Sequence, residues 1–199
     1  MPGSYTCVFL RKTFVVTNFA ALAELQLAAR SDDGFIAWIN GTEVVRFNLP
    51  DGELAYNGVA SGALTEPIPV TNFVLAGPHD YLLPGTNVIT VQAFNSSLGD
   101  SSDFLIWLTL DYTLDTTPPT AGSIPAPGAT VRYLRDVEID FDEAVTNVAA
   151  AALLINGSPA TNLTAFTASQ YIFEFPQPPT GTVQLAWAPG QGIQDLAGN

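Results

Sequence analysis

The stretch that decides the fold is Ser31-Asp32-Asp33-Gly34-Phe35-Ile36-Ala37-Trp38-Ile39-Asn40-Gly41-Thr42-Glu43-Val44-Val45-Arg46-Phe47-Asn48-Leu49-Pro50. Asn40-Gly41 is a two-residue hairpin signal, because a type I′ turn needs positive φ at both central positions and Asn and Gly tolerate that best. Phe35 to Ile39 enters the turn and Thr42 to Phe47 leaves it. Phe35, Ala37 and Ile39 share one face of the incoming strand, and Ile36 and Trp38 share the other. Both faces are apolar, which predicts a hairpin inside a two-layer sandwich. Asp33-Gly34 makes the turn before it.

Working outward, the chain has 199 residues, room for one large domain or two small ones. Charged residues are scarce at 13%, while Gly and Pro are frequent. That composition fits an all-β protein with many turns. Net charge is −13, and no Lys or Arg follows Arg135. Without a basic patch the chain is expected to bind no nucleic acid and no anionic membrane surface. An acidic surface suits a secreted or cell-surface protein and can recruit Ca²⁺, which takes oxygen ligands. Cys7 is alone, so an internal disulfide is excluded, and it reads as a small buried hydrophobe. No apolar run reaches the roughly 18 residues that span a membrane, so no membrane insertion is expected. Met1-Pro2-Gly3-Ser4 lacks the regions of a signal peptide and reads as a remnant, left where an export signal could have been cut away.

Strands are expected over Tyr5–Val16, Leu22–Ala29, Val88–Phe94 and Phe104–Leu110. Residues 49–77 form a long Gly-, Pro- and Asn-rich connection, of the kind that is often functional. Asp111 to Pro119 is the clearest boundary, since Pro118-Pro119 cannot continue a ladder. The division is therefore 1–114 and 115–199. Beyond the boundary Val137, Ile139 and Phe141 alternate with Glu138, Asp140 and Asp142. A second Asn-Gly turn follows at Asn156-Gly157, and Val183, Leu185 and Trp187 alternate as expected core. Residues 149–154 suit a helical turn. The chain stops just after a turn sequence, and the natural protein is expected to continue.

Phe9-Leu10-Arg11-Lys12-Thr13-Phe14, the run Asp32 to Arg46 with Asn48 and Pro50, Pro84 to Gln92, and Ser101-Ser102-Asp103-Phe104 occur in an order and spacing that resemble a particular domain type. It is the jelly-roll domain appended to secreted bacterial multidomain proteins, similar to galactose-binding-like carbohydrate modules. Thr117-Pro118-Pro119, Val137 to Val145, Ile155-Asn156-Gly157 and Gly192 to Asn199 look like a bacterial immunoglobulin-like domain of the surface-layer type. There, a final strand normally follows the Asp195-Leu196-Ala197-Gly198-Asn199 segment, so the second half is expected to be truncated. The resemblance implies a jelly-roll sandwich followed by a smaller immunoglobulin-like sandwich. It also implies a non-catalytic module that binds a polysaccharide or glycan beside other domains of the same parent chain.

Candidate chemistry follows from residue types. Tyr56, Asp80, Tyr81, Asn95 and Asp100, with Asn57, are expected at one end of the sandwich, where Asp, Asn and Tyr orient sugar hydroxyls. Trp38 and Trp107 offer an aromatic platform for a sugar ring; the plainer reading packs both beneath residues 49–77 or against the second half. Asp111, Asp115 and Asp195 flank the boundary as candidate Ca²⁺ ligands. Asp33 and Asp103 are expected to pair with Arg11, Arg30 or Arg46. Glu138-x-Asp140-x-x-Glu143 matches a retaining-glucanase pattern, which needs two carboxyls about 5 Å apart in an aromatic cleft. Its half is small, with one Trp, so a solvated strand face is the plainer reading, and no catalysis is expected. His79 is the one histidine and reads as a surface loop residue, which leaves no His cluster for a metal.

Overall fold

A computed structural model describes residues 5–99 and 103–199. The chain forms two compact units, Met1–Asp115 and Thr116–Asn199, and both are built of antiparallel strands. Among the described residues, no helix is long and apolar enough to cross a membrane.

The first unit contains β1 (Cys7–Val16), β2 (Leu22–Asp32), β3 (Gly34–Ile39), β4 (Thr42–Phe47), β5 (Thr71–Leu75), the short helix α1 (Pro78–Tyr81), β6 (Gly85–Phe94) and β7 (Leu105–Leu114). One sheet runs β1-β6-β3-β4 and the other β5-β2-β7. Leu25, Leu27 and Ala29 of β2 meet Phe35, Ala37 and Ile39 of β3 in the core between the layers. Phe35 also meets the Phe73 ring edge-on at 5.8 Å. Each such fully buried apolar side chain contributes about 1.5–3 kcal/mol.

The Asn40-Gly41 hairpin forms as its sequence dictates. Both residues have positive φ, 50° and 91°, and Ile39 faces Thr42 across the turn. The second apolar face of β3 is covered as the plainer reading of Trp38 had it, beneath residues 49–77. Ile36 and Trp38 do not face another sheet; they pack with Phe94, Ala60, Leu49 and Leu54 under the connection after β4. Gly34 is required where this connection passes, since a Cβ there would lie 2.9 Å from the Asn48 carbonyl oxygen. The connection also hides β5, a strand too short and too mixed in pattern to stand out within residues 49–77.

The second unit contains β8 (Ala121–Ile124), β9 (Asp136–Phe141), β10 (Val145–Thr146), β11 (Leu153–Ile155), β12 (Ser158–Pro159), β13 (Asn162–Ala165), β14 (Gln170–Glu174), β15 (Leu185–Trp187) and β16 (Gln194–Asp195). Its sheets run β13-β14-β9-β8, β12-β11-β15 and β10-β16. Val137, Ile139 and Phe141 point into the core with Leu153, Ile155 and Phe173. Asn156 and Gly157 turn with φ of 49° and 80°. Ala150–Ala152 makes a single 3₁₀ turn. Trp187 is not the buried residue that its alternation suggested. It is 37% exposed and lies along the margin of the core, stacked on Phe141 at 6.0 Å.

Candidate functional site

The first unit carries two features with chemical potential. The first is a groove on the outer face of the β1-β6-β3-β4 sheet. Strand register places Phe9 beside Gln92, Gln92 beside Ile36 and Ile36 beside Arg46, so one row crosses all the strands of that sheet. Trp38 and Glu43 form the neighbouring pair, and residues 51–54 make the wall. The groove encloses about 810 Å³. Phe9 is 65% exposed and Trp38 is half-buried, which leaves apolar ring surface on the floor. Arg46 holds Glu43 through paired contacts of 2.6 and 2.8 Å and donates to the Pro50 carbonyl at 2.9 Å, tying down the wall. Gln92 is anchored by its Nε2 on the Cys7 sulfur at 3.3 Å. Flat apolar rings bordered by fixed carboxylate, guanidinium and amide groups suit a ligand with both C–H faces and hydroxyls.

The second feature is a group of acids where β2 turns into β3. Asp33 is buried, and its carboxylate accepts from the backbone N–H of Leu64 at 2.8 Å and of Ser96 at 2.6 Å. Burial pushes the Asp33 carboxyl up, but these hydrogen bonds outweigh it and hold the group below its ordinary range. Asp32, joined to Asp33 by a cis peptide, is 6% exposed. Burial, then the facing carboxylates of Asp33 and Asp103, push its pKa up to about 7. Glu66 is raised as well, by its contact with Asp103. Asp32, Glu66 and Asp103 each offer an oxygen within 4.8 Å of the others. Asp33 therefore fixes turns through backbone amides, and no Arg partner is needed. Arg46 is engaged by Glu43, and Arg30 donates to the Ile68 carbonyl at 2.9 Å.

The residues expected to gather at one end do not do so. Asp80 and Tyr81 precede β6 and Asn95 follows it, and ten extended residues separate the two ends by about 33 Å. Tyr81 is buried, with its hydroxyl on the Leu75 carbonyl at 3.3 Å. Burial, with Asp80 nearby, pushes its pKa up to about 12, so it serves the core. His79 is exposed on α1, in contact with the Phe19 carbonyl at 3.0 Å. Tyr56 is 80% exposed on the connection after β4. Asn95 is buried at the acid end. Asp100 lies outside the described residues. Trp38 and Trp107 belong to different sheets, so they cannot form one platform; Trp107 is 44% exposed on β7. Sequence reasoning missed Phe9, Glu43, Arg46 and Gln92. Their strand parities were readable, but the register that aligns them was not.

Of the acids proposed around the boundary, Asp111 and Asp115 lie in the first unit and Asp195 in the second. Asp111 is exposed on β7 opposite Gln26. Asp115 lies about 13 Å further along the same extended chain, more than two short side chains standing off a sheet can close around one ion. Asp195, in the second unit, is buried, and its carboxylate accepts from Gly198 N at 2.6 Å, Asn199 N at 2.9 Å and Asn199 Nδ2 at 3.0 Å. Burial raises it, but these donors outweigh the burial and hold it low. Glu138 faces outward from β9 and accepts from Gln170 Nε2 at 2.6 Å, while Asp142 caps Thr120 at 2.8 and 2.7 Å. Both carboxylates serve the second unit's own strands and turns.

No protein-family model matches the chain, and no curated protein matches it. Among solved structures, a glycosyl hydrolase family 2 member from Bacteroides cellulosilyticus is similar, with a TM-score of 0.37 and 12% identity. The match covers 98% of this chain and 26% of that one, so the chain spans about a quarter of that protein's length.

Proposed function

We propose that the first unit is a non-catalytic carbohydrate-binding module of the galactose-binding-like kind. In this reading the second unit is an immunoglobulin-like spacer, and both belong to a larger secreted or surface-attached protein. The observation that carries the reading is the groove over Phe9, Trp38 and Gln92 with its fixed Glu43–Arg46 pair. A sugar ring lies on the Phe9 and Trp38 faces while its hydroxyls reach Glu43, Arg46, Asp51, Glu53 and Gln92. A few stacking and hydroxyl contacts, less the cost of association, correspond to a Kd of order 10–1000 µM.

The test is affinity electrophoresis of the intact chain against a panel of polysaccharides, beside the Phe9→Ala variant. Phe9 is exposed, so its loss removes platform area without opening the core. Retardation of the wild type by at least one polysaccharide, lost in Phe9→Ala at an unchanged melting temperature, supports the module. Absence of retardation across the panel leaves both units as structural stalk or adhesin pieces. Release of reducing sugar, abolished by Glu138→Gln, would instead establish a hydrolase using Glu138 and Glu143.

A further inference from the structure

We propose that the carboxylates of Asp32, Glu66 and Asp103, together with the side-chain oxygen of Asn95, form a divalent-cation site suited to Ca²⁺ in the first unit. Nothing in this proposal depends on the groove or on sugar binding.

The carboxylates converge to within 4.8 Å of one another. Convergence alone is common among surface acids, but two members here are buried. Asp32 is 6% exposed, and the groups that face its carboxyl are the carboxylates of Asp33 and Asp103. Asn95 is 7% exposed. Its Nδ2 donates to the Asp103 carbonyl at 3.2 Å, which fixes the orientation of the amide beside Asp103. Its Oδ1 is buried with no donor among the described residues. A buried acceptor without a donor costs about 1–3 kcal/mol. Flipping the amide would only set two oxygens against each other. A cation satisfies the Asn95 oxygen and neutralises the converging carboxylates in one step.

The donor set selects the ion. All the groups are oxygens, with no imidazole or thiolate, which favours a hard cation over zinc. Ca²⁺ accepts six to eight oxygens in irregular geometry, whereas Mg²⁺ demands a near-ideal octahedron. Carboxylates from separate segments, completed by an amide oxygen and water, match the first description. The site also has a mechanical role. Glu66 lies on the connection between β4 and β5, already held by Leu64 N on Asp33 and by Arg30 on the Ile68 carbonyl. Asp103 lies at the entry to β7. An ion between them fastens the connection to the end of the sandwich.

Calorimetric titration of the chelator-stripped intact chain with CaCl₂ tests this. We expect a Kd of about 10⁻⁴–10⁻³ M or tighter. The first melting transition should rise with Ca²⁺ and fall back with chelator, because a ligand of the folded state stabilises it. Glu66 and Asp103 are exposed, so Glu66→Gln and Asp103→Asn should fold normally in chelator and bind Ca²⁺ about tenfold more weakly, one charged ligand being lost in each. Asp111→Asn should bind as the wild type does. Absence of both heat and a melting shift overturns the proposal. So does Ca²⁺ binding that neither Glu66→Gln nor Asp103→Asn weakens, because the ion would then sit elsewhere.

Discussion

The two ends of the first unit solve the same problem in opposite ways. Each buries amide or acid side chains beside one end of β6. At the α1 end, Asn87 is fully buried, and all of its hydrogen-bonding groups are engaged. Its Oδ1 accepts from Asn40 Nδ2 at 2.7 Å and Leu83 N at 2.8 Å, and its Nδ2 donates to Leu83 O at 2.8 Å and Gly85 O at 2.9 Å. Asn40 completes the network by accepting from Val88 N at 2.9 Å and donating to the Tyr81 carbonyl at 2.9 Å. At the other end Asn95 keeps an oxygen with no donor among the described residues, and Asp32 faces other carboxylates. A satisfied network locks a fold, whereas an incomplete one marks where a ligand belongs. The difference separates structure from function more sharply than residue type does, since Asn and Asp serve both ends.

The comparison breaks most visibly at Asn87. Asn87→Ala should cost about 3–5 kcal/mol, because it strands several buried partners at once, and urea denaturation of the first unit would read the loss. A cost near that of an exposed substitution would show that the network is not the lock it resembles.

Asp32→Asn should behave in the opposite sense in chelator at a pH of about 8. It removes a charge that its surroundings disfavour, so stability should hold or rise, by about 1 kcal/mol at most. The pH dependence carries the same sign. The folded pKa of Asp32, about 7, exceeds its ordinary 3.8, so the folded state holds the extra proton between those values. Stability that is full below about pH 4 is therefore lost as pH rises through about 7. Asp33, held low, acts only below the ordinary carboxylate range. Melting curves of the chelated chain from acid to alkaline pH should fall for the wild type and flatten for Asp32→Asn.

Smaller effects sharpen the outer faces. Trp107→Ala should cost about 1 kcal/mol or less and leave polysaccharide retardation unchanged, because Trp107 lies on the sheet that lacks the groove. Phe9→Ala should move stability least of all while weakening retardation. Equal loss of binding in the two variants would contradict a single groove.

Much of the fold was legible from local chemistry. Asn40-Gly41 and Asn156-Gly157 specify turns by backbone conformation alone, and the alternation of Val137, Ile139 and Phe141 is the burial pattern itself. What was not legible depends on pairing at long range. Phe9 and Gln92 are far apart in sequence, and only register aligns them with Arg46. Asp80 and Asn95 looked equivalent as polar loop residues, but a full strand divides them. Asp33 read as a turn residue because the amides that hold it, Leu64 and Ser96, are far off in sequence and no periodicity reveals their approach. Trp187 read as core because alternation reports direction and not depth.

Amide hydrogen exchange of the intact chain, with chelator and with Ca²⁺, compares the two ends in one measurement. Ca²⁺ should slow exchange at Leu64 to Ile68 and at Asn95 and Ser96, while Leu82, Leu83 and Val88 keep their rates. Uniform slowing at both ends, or no change at Leu64 to Ile68, would contradict this.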